Sequence, residues 1–102
     1  MKLPEPETGQ VVELRLQNSF DLALKLYLEP WGDVLSIPPT LTYRVLARGP
    51  EGDALQIEFA EGGITIYGWP GSVLSVFHSA ELIIECRVPV PTTPQPKRML
   101  RL

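Results

Sequence analysis

The chain has 102 residues, room for one domain and not two, and its 44% hydrophobic and 21% charged content is that of a folded globular protein rather than a disordered one. One histidine, His78, and one thiol, Cys86, exclude an internal disulfide, a two-histidine zinc site and a blue-copper site. A net charge of -3 argues against a nucleic-acid partner, and no apolar run approaches the ~18 residues of a membrane span, so neither nucleic acid nor membrane is expected.

The opening residues, with Pro4, Glu5, Pro6 and Glu7, lack the apolar stretch of a secretory signal, so a cytoplasmic location is expected. Residues 1 to 10 are predicted to be a flexible N-terminal segment, and 11 to 90 a single domain. Residues 91 to 102 read as a Pro-rich basic flexible tail: Lys97, Arg98 and Arg101 give it a charge of +3 against -6 for the rest.

Within 11 to 90 the apolar residues recur with period two, which places them on one face of a strand. Val12, Leu14 and Leu16 alternate with Glu13, Arg15 and Gln17. After a turn at 18 to 21, Leu22, Leu24, Leu26 and Leu28 alternate with Ala23, Lys25, Tyr27 and Glu29, predicting a first hairpin. A short run follows at 34 to 37. Leu41, Tyr43, Val45 and Ala47 then alternate with polar residues, Leu46 being the mismatch. Leu55, Ile57 and Phe59 precede Gly62-Gly63, whose freedom to take positive φ suits a hairpin loop. That loop predicts Glu61 opposite Ile64, Phe59 opposite Ile66 and Ile57 opposite Gly68. Runs at 73 to 77 and 82 to 88 complete the set, with His78 opposite Leu82 and Cys86 opposite Leu74. Pro30, Pro38, Pro39, Pro50 and Pro70 all fall between runs, where no ladder donor is lost.

About eight short strands without a substantial helix predict an all-β fold, an antiparallel β-sandwich. The pattern is similar, at the level of fold only, to immunoglobulin-like and cupredoxin-like sandwiches, and such a likeness implies no activity.

No catalytic set assembles. His78 and Cys86 fall on the order of 13 Å apart in the predicted ladder, and the apolar neighbours Leu74, Val76 and Ile84 make Cys86 an inert core thiol. The serines lack the Gly-x-Ser-x-Gly elbow, and no phosphate loop or calcium pattern is present. The expectation is a protein that is not an enzyme and needs no metal or cofactor.

Two surfaces remain. In an up-and-down succession every second connection lies at the same end, so the loops at 30 to 33, 49 to 53 and 69 to 72 would share one. Trp31, Asp33, Glu51, Asp53 and Trp69 would meet there, either as a plug over the core or as a carbohydrate or small-ligand platform of indole faces beside carboxylates. On the outer face, pairing Ile66 with Val76 would bring Tyr67, Phe77 and Ile83 together, with Leu46 if its strand is adjacent. Such a patch suits a protein partner or self-association, or serves only as cross-strand decoration. The functional expectation is a non-catalytic module acting by protein–protein interaction or homo-oligomerisation. Ligand binding through Trp31 and Trp69 is the alternative.

Overall fold

The computed structural model describes residues 9 to 92; the outer parts of both segments expected to be flexible lie outside that range. Eight strands are present: β1 (Gly9–Gln17), β2 (Leu24–Glu29), β3 (Asp33–Ile37), β4 (Thr42–Pro50), β5 (Gln56–Ala60), β6 (Gly63–Tyr67), β7 (Val73–His78) and β8 (Glu81–Cys86). There is no helix among the described residues, hence none long and apolar enough to cross a membrane. The first strand already includes Gly9 and Gln10, placed by sequence in the N-terminal segment.

The strands form two four-stranded sheets, β1-β4-β7-β8 and β3-β2-β6-β5. All ladders are antiparallel except β2–β6, which is parallel. The inward rows of the two sheets meet in a core of Leu26, Leu28, Ile37, Val45, Ile66, Leu74, Val76 and Trp69, all buried. Each aliphatic side chain removed from water there contributes about 2 kcal/mol.

Topology departs from the succession of hairpins expected. β1 and β2 do not pair: β1 lies against β4 from Gly9↔Pro50 to Gln17↔Thr42, and β2 lies in the other sheet between β3 and β6. The physical reason is Asn18. Its backbone N–H donates to Leu41 O and its carbonyl accepts from Thr40 N, which ties it to the start of β4. Its side-chain amide donates to Leu22 O and to Ile37 O, while Oδ1 accepts from Phe20 N. These bonds turn the chain from one sheet to the other. They also hold Leu22 outside β2, in a loop, where it is exposed rather than inward.

Registers differ too. The β5–β6 loop is Glu61-Gly62, with φ of +88° at Gly62, so Ala60 faces Gly63, Phe59 faces Ile64 and Ile57 faces Ile66. This is a slip of two residues from the expected pairing, which preserves the inward face. Gly63 belongs to the strand through its pairing with Lys25 and Ala60, and the position takes a glycine because a Cβ there would fall 2.9 Å from Lys25 O. In the last hairpin His78 faces Glu81, not Leu82, and Phe77 faces Leu82. An irregularity between Val76 and Phe77 then absorbs one residue of β8, so Val76 faces Ile84 and Leu74 faces Cys86, the latter as expected.

Candidate interaction surface

The end holding the loops at 30 to 33, 49 to 53 and 69 to 72 is real. Each strand crosses the sandwich once whichever sheet it belongs to, and β3 is a true strand, so alternate connections still share an end. Trp69 is 2% exposed and donates its indole N–H to Pro50 O at 2.7 Å. Its ring closes the core and presents no open face to a ligand. Trp31 is half-buried, donates to Val88 O at 2.7 Å, and packs so closely that a Cβ on Gly68 would meet its Cη2 at 2.5 Å.

The carboxylates of this end are dispersed. Asp33 accepts a hydrogen bond from the Cys86 thiol at the β8 edge, whereas Gln10 of β1 donates to the Asp53 backbone carbonyl at the opposite edge of the sheet. Those edges are three strand spacings apart, roughly 14 Å. The Asp53 side chain caps Ala54 N and Glu51 is exposed; no group of three potential metal ligands forms among the described residues.

Cys86 is buried, and burial pushes its thiol from an ordinary value of 9.0 up to about 12, the hydrogen bond to Asp33 and its charge adding to the effect. A folded-state value above the unfolded one favours the native state fully below about pH 9, and that contribution declines as pH rises from there toward 12. The urea midpoint of the wild type is therefore expected to fall more than that of Cys86→Val between about pH 8.5 and pH 11. Equal slopes would show that the thiol ionises as readily folded as unfolded.

The expected outer patch does not assemble. β6 and β7 belong to different sheets, so Ile66 faces Ile57 and Leu28, not Val76. Tyr67 therefore lies apart from Phe77, with its hydroxyl donating to Glu58 Oε1 at 2.8 Å, an interaction that raises its pKa. Ile83, at the irregular point of β8, packs against the core. Leu46 and Phe77 do share the outer face of adjacent strands, where the Arg44 guanidinium covers the Phe77 ring at 4.8 Å.

A different apolar surface emerges from the edges. The β8/β3 side of the sandwich is closed by the Cys86–Asp33 and Trp31–Val88 hydrogen bonds, and Val90 is tied by its backbone to Ser72 and Gly71. Among the described residues the β1/β5 side is open. Val12, Leu14 and Leu16 on β1, with Leu55 and Ile57 opposite, face inward yet are only half-buried. Phe59 shares the inward face of Ile57 and Ile64 and is nevertheless 77% exposed. Beside it the β1–β2 loop carries Phe20, 67% exposed, and Leu22, 77% exposed. Phe20, Leu22 and Phe59 line an apolar groove of about 610 Å³ between that loop and the β5–β6 turn.

Sequence reasoning missed this groove. Alternation assigned Phe59 and Leu22 to the core, whereas Leu22 lies in the β1–β2 loop and Phe59 near the end of β5, and both are exposed. Comparison with known proteins supplies no relative to weigh against this geometry: no family model, no curated protein and no solved structure matches the chain.

Proposed function

We propose that the protein is a non-catalytic interaction module of the cytosol that works by protein–protein contact through the open β1/β5 side of the sandwich. The observation that carries the reading is the exposure of Phe20, Leu22 and Phe59 around one apolar groove. Isolated exposed apolar side chains are ordinary, but a contiguous group at the mouth of a half-covered core marks a contact site. The chemistry elsewhere supports binding over catalysis: the one thiol is buried and held protonated at neutral pH, and the indole of Trp69 is occupied in the core.

The test is site-specific photo-crosslinking in cells with benzoylphenylalanine at position 59, at position 20 and, as a control on the far edge, at position 85. Adducts of higher mass, to a second copy or to another protein, are expected from positions 59 and 20 and not from 85. No adduct from either groove position, or equal yields from all three, would overturn the reading.

A further inference from the structure

We propose that the partner at this open side is a second copy of the chain, and that two copies pair their β1 strands antiparallel about a two-fold axis at Leu14. The inference rests on the reading of the β1/β5 side as the contact surface, and adds the occupant and its register.

Among the described residues four strands have a free edge: β1 and β8 in one sheet, β3 and β5 in the other. Free edges are normally blunted by brevity, bulges, proline or charge. β3 and β5 are five residues each; β3 begins at Asp33, whose carboxylate holds the Cys86 thiol, and β5 carries Glu58. β8 has a broken register and carries Glu81 and Glu85. β1 is the least protected of the four: its two charges, Glu13 and Arg15, are of opposite sign and lie on the outer row. It is nine residues long, pairs with β4 without interruption, contains no proline and has no charge on its inward row.

The sequence of β1 is complementary to itself. With Leu14 on the axis, Leu14 faces Leu14, Val12 faces Leu16, and Glu13 faces Arg15 twice, because a two-fold repeats each pair. Moving the axis to Glu13 sets Glu13 against Glu13, and moving it to Arg15 sets Arg15 against Arg15. Like charges directly opposite are destabilising, so the charges select the Leu14 register. Registers offset by one residue turn the partner's Val12, Leu14 and Leu16 to the outer face and leave both half-buried rows uncovered.

Charge on the outer face points the same way. Across the β1–β4 ladder Arg15 faces Arg44, two like charges side by side, and Glu13 is the carboxylate within 4 Å of both, at 3.9 and 3.8 Å. In the dimer, Glu13 of the second copy stands on the other side of Arg15. Each transverse row then reads Arg44, Arg15, Glu13, Leu46 across the junction. The two sheets become one eight-stranded sheet, and the half-buried row of β1 continues into the same row of its partner.

Sedimentation equilibrium of the full chain from about 1 µM to about 1 mM is expected to show the mass rising from 11.4 kDa toward twice that value. Glu13→Arg and Arg15→Glu each turn two attractive pairs into two repulsive ones and are expected to weaken the dimer about tenfold. The double variant restores the pairs, and its dimer is expected to return to within about threefold of wild type. An equimolar mixture of the two single variants is expected to form the heterodimer in preference to either homodimer. In that mixture the β1 strand of Glu13→Arg carries two positive charges and that of Arg15→Glu two negative ones, so every facing pair between them is attractive. All of these substitutions sit on the solvent face, and a cooperative thermal melt at low concentration confirms that the sandwich is intact.

A wild type that stays monomeric throughout overturns the proposal, as does a dimer indifferent to both single variants. If the chain is monomeric while position 59 still crosslinks to other proteins, only this inference fails. Monomer and no crosslink together remove both it and the functional reading.

Discussion

Asn18→Ala is expected to lower the stability of the sandwich by about 3 kcal/mol and its melting temperature by about 15 °C. The substitution deletes two donors and one acceptor at once: the Leu22 and Ile37 carbonyls and the Phe20 N–H each lose a partner, and the Asn18 site has no access to water. A buried polar group left without a partner costs roughly 1 to 3 kcal/mol, and the three act on one short loop. For a domain whose total stability is of order 5 to 15 kcal/mol the loss is large. Asn18→Asp is expected to be at least as damaging, because it keeps the acceptor for Phe20 but sets a carboxylate against two carbonyl oxygens. Urea unfolding of both variants is the measurement. A cost within about 0.5 kcal/mol for Asn18→Ala would show that the crossing between the sheets is secured elsewhere.

Asn18 also explains where reading the sequence succeeds and stops. Strand identity was legible because period-two alternation is local: each of the eight strands coincides with a run of alternating apolar residues or a short apolar stretch. Strand partners were not legible, because they depend on groups distant along the chain. A turn signal at 18 to 21 between two alternating runs reads as a hairpin. Whether it is one depends on Ile37, Thr40 and Leu41, the nearest of which lies 19 positions from Asn18. The β7–β8 irregularity is hidden in the same way, since the two-residue turn at Ser79-Ala80 and the Leu74↔Cys86 pair require one residue to be absorbed somewhere between.

The candidate surface shows the same division. Alternation indicated the correct inward direction for Phe59, which shares a face with Ile57 and Ile64. Direction is not burial. Whether an inward side chain is covered depends on what the opposite sheet places above it, and at the β1/β5 side the covering is incomplete. The end with the tryptophans was located correctly through the parity of the connections, while the fate of the indoles turned on Pro50 O and Val88 O, acceptors that no local pattern identifies.

Trp69→Ala carries the largest expected effect, a loss of about 4 kcal/mol and about 20 °C in melting temperature. The ring is among the most deeply buried in the domain, it lies beside Gly49 and Ser72 with no room to spare, and its removal leaves a cavity that these backbone neighbours cannot fill. A Cβ on Gly49 would meet the Ser72 Cα at 2.8 Å and the Trp69 Nε1 at 3.0 Å, so the surrounding residues are already shaped to this indole. Trp69→Phe separates packing from hydrogen bonding: it keeps most of the ring and gives up the N–H to Pro50 O, an expected cost of about 1 to 2 kcal/mol. Fluorescence provides an independent readout of the same burial. In the Trp31→Phe background the remaining emission, from Trp69, is expected to be blue-shifted and protected from acrylamide, whereas in Trp69→Phe the half-buried Trp31 is expected to be more accessible. Red-shifted, freely quenched emission from Trp69, or a cost below about 1 kcal/mol for Trp69→Ala, would place the indole in water and return the tryptophan end to consideration as a ligand platform.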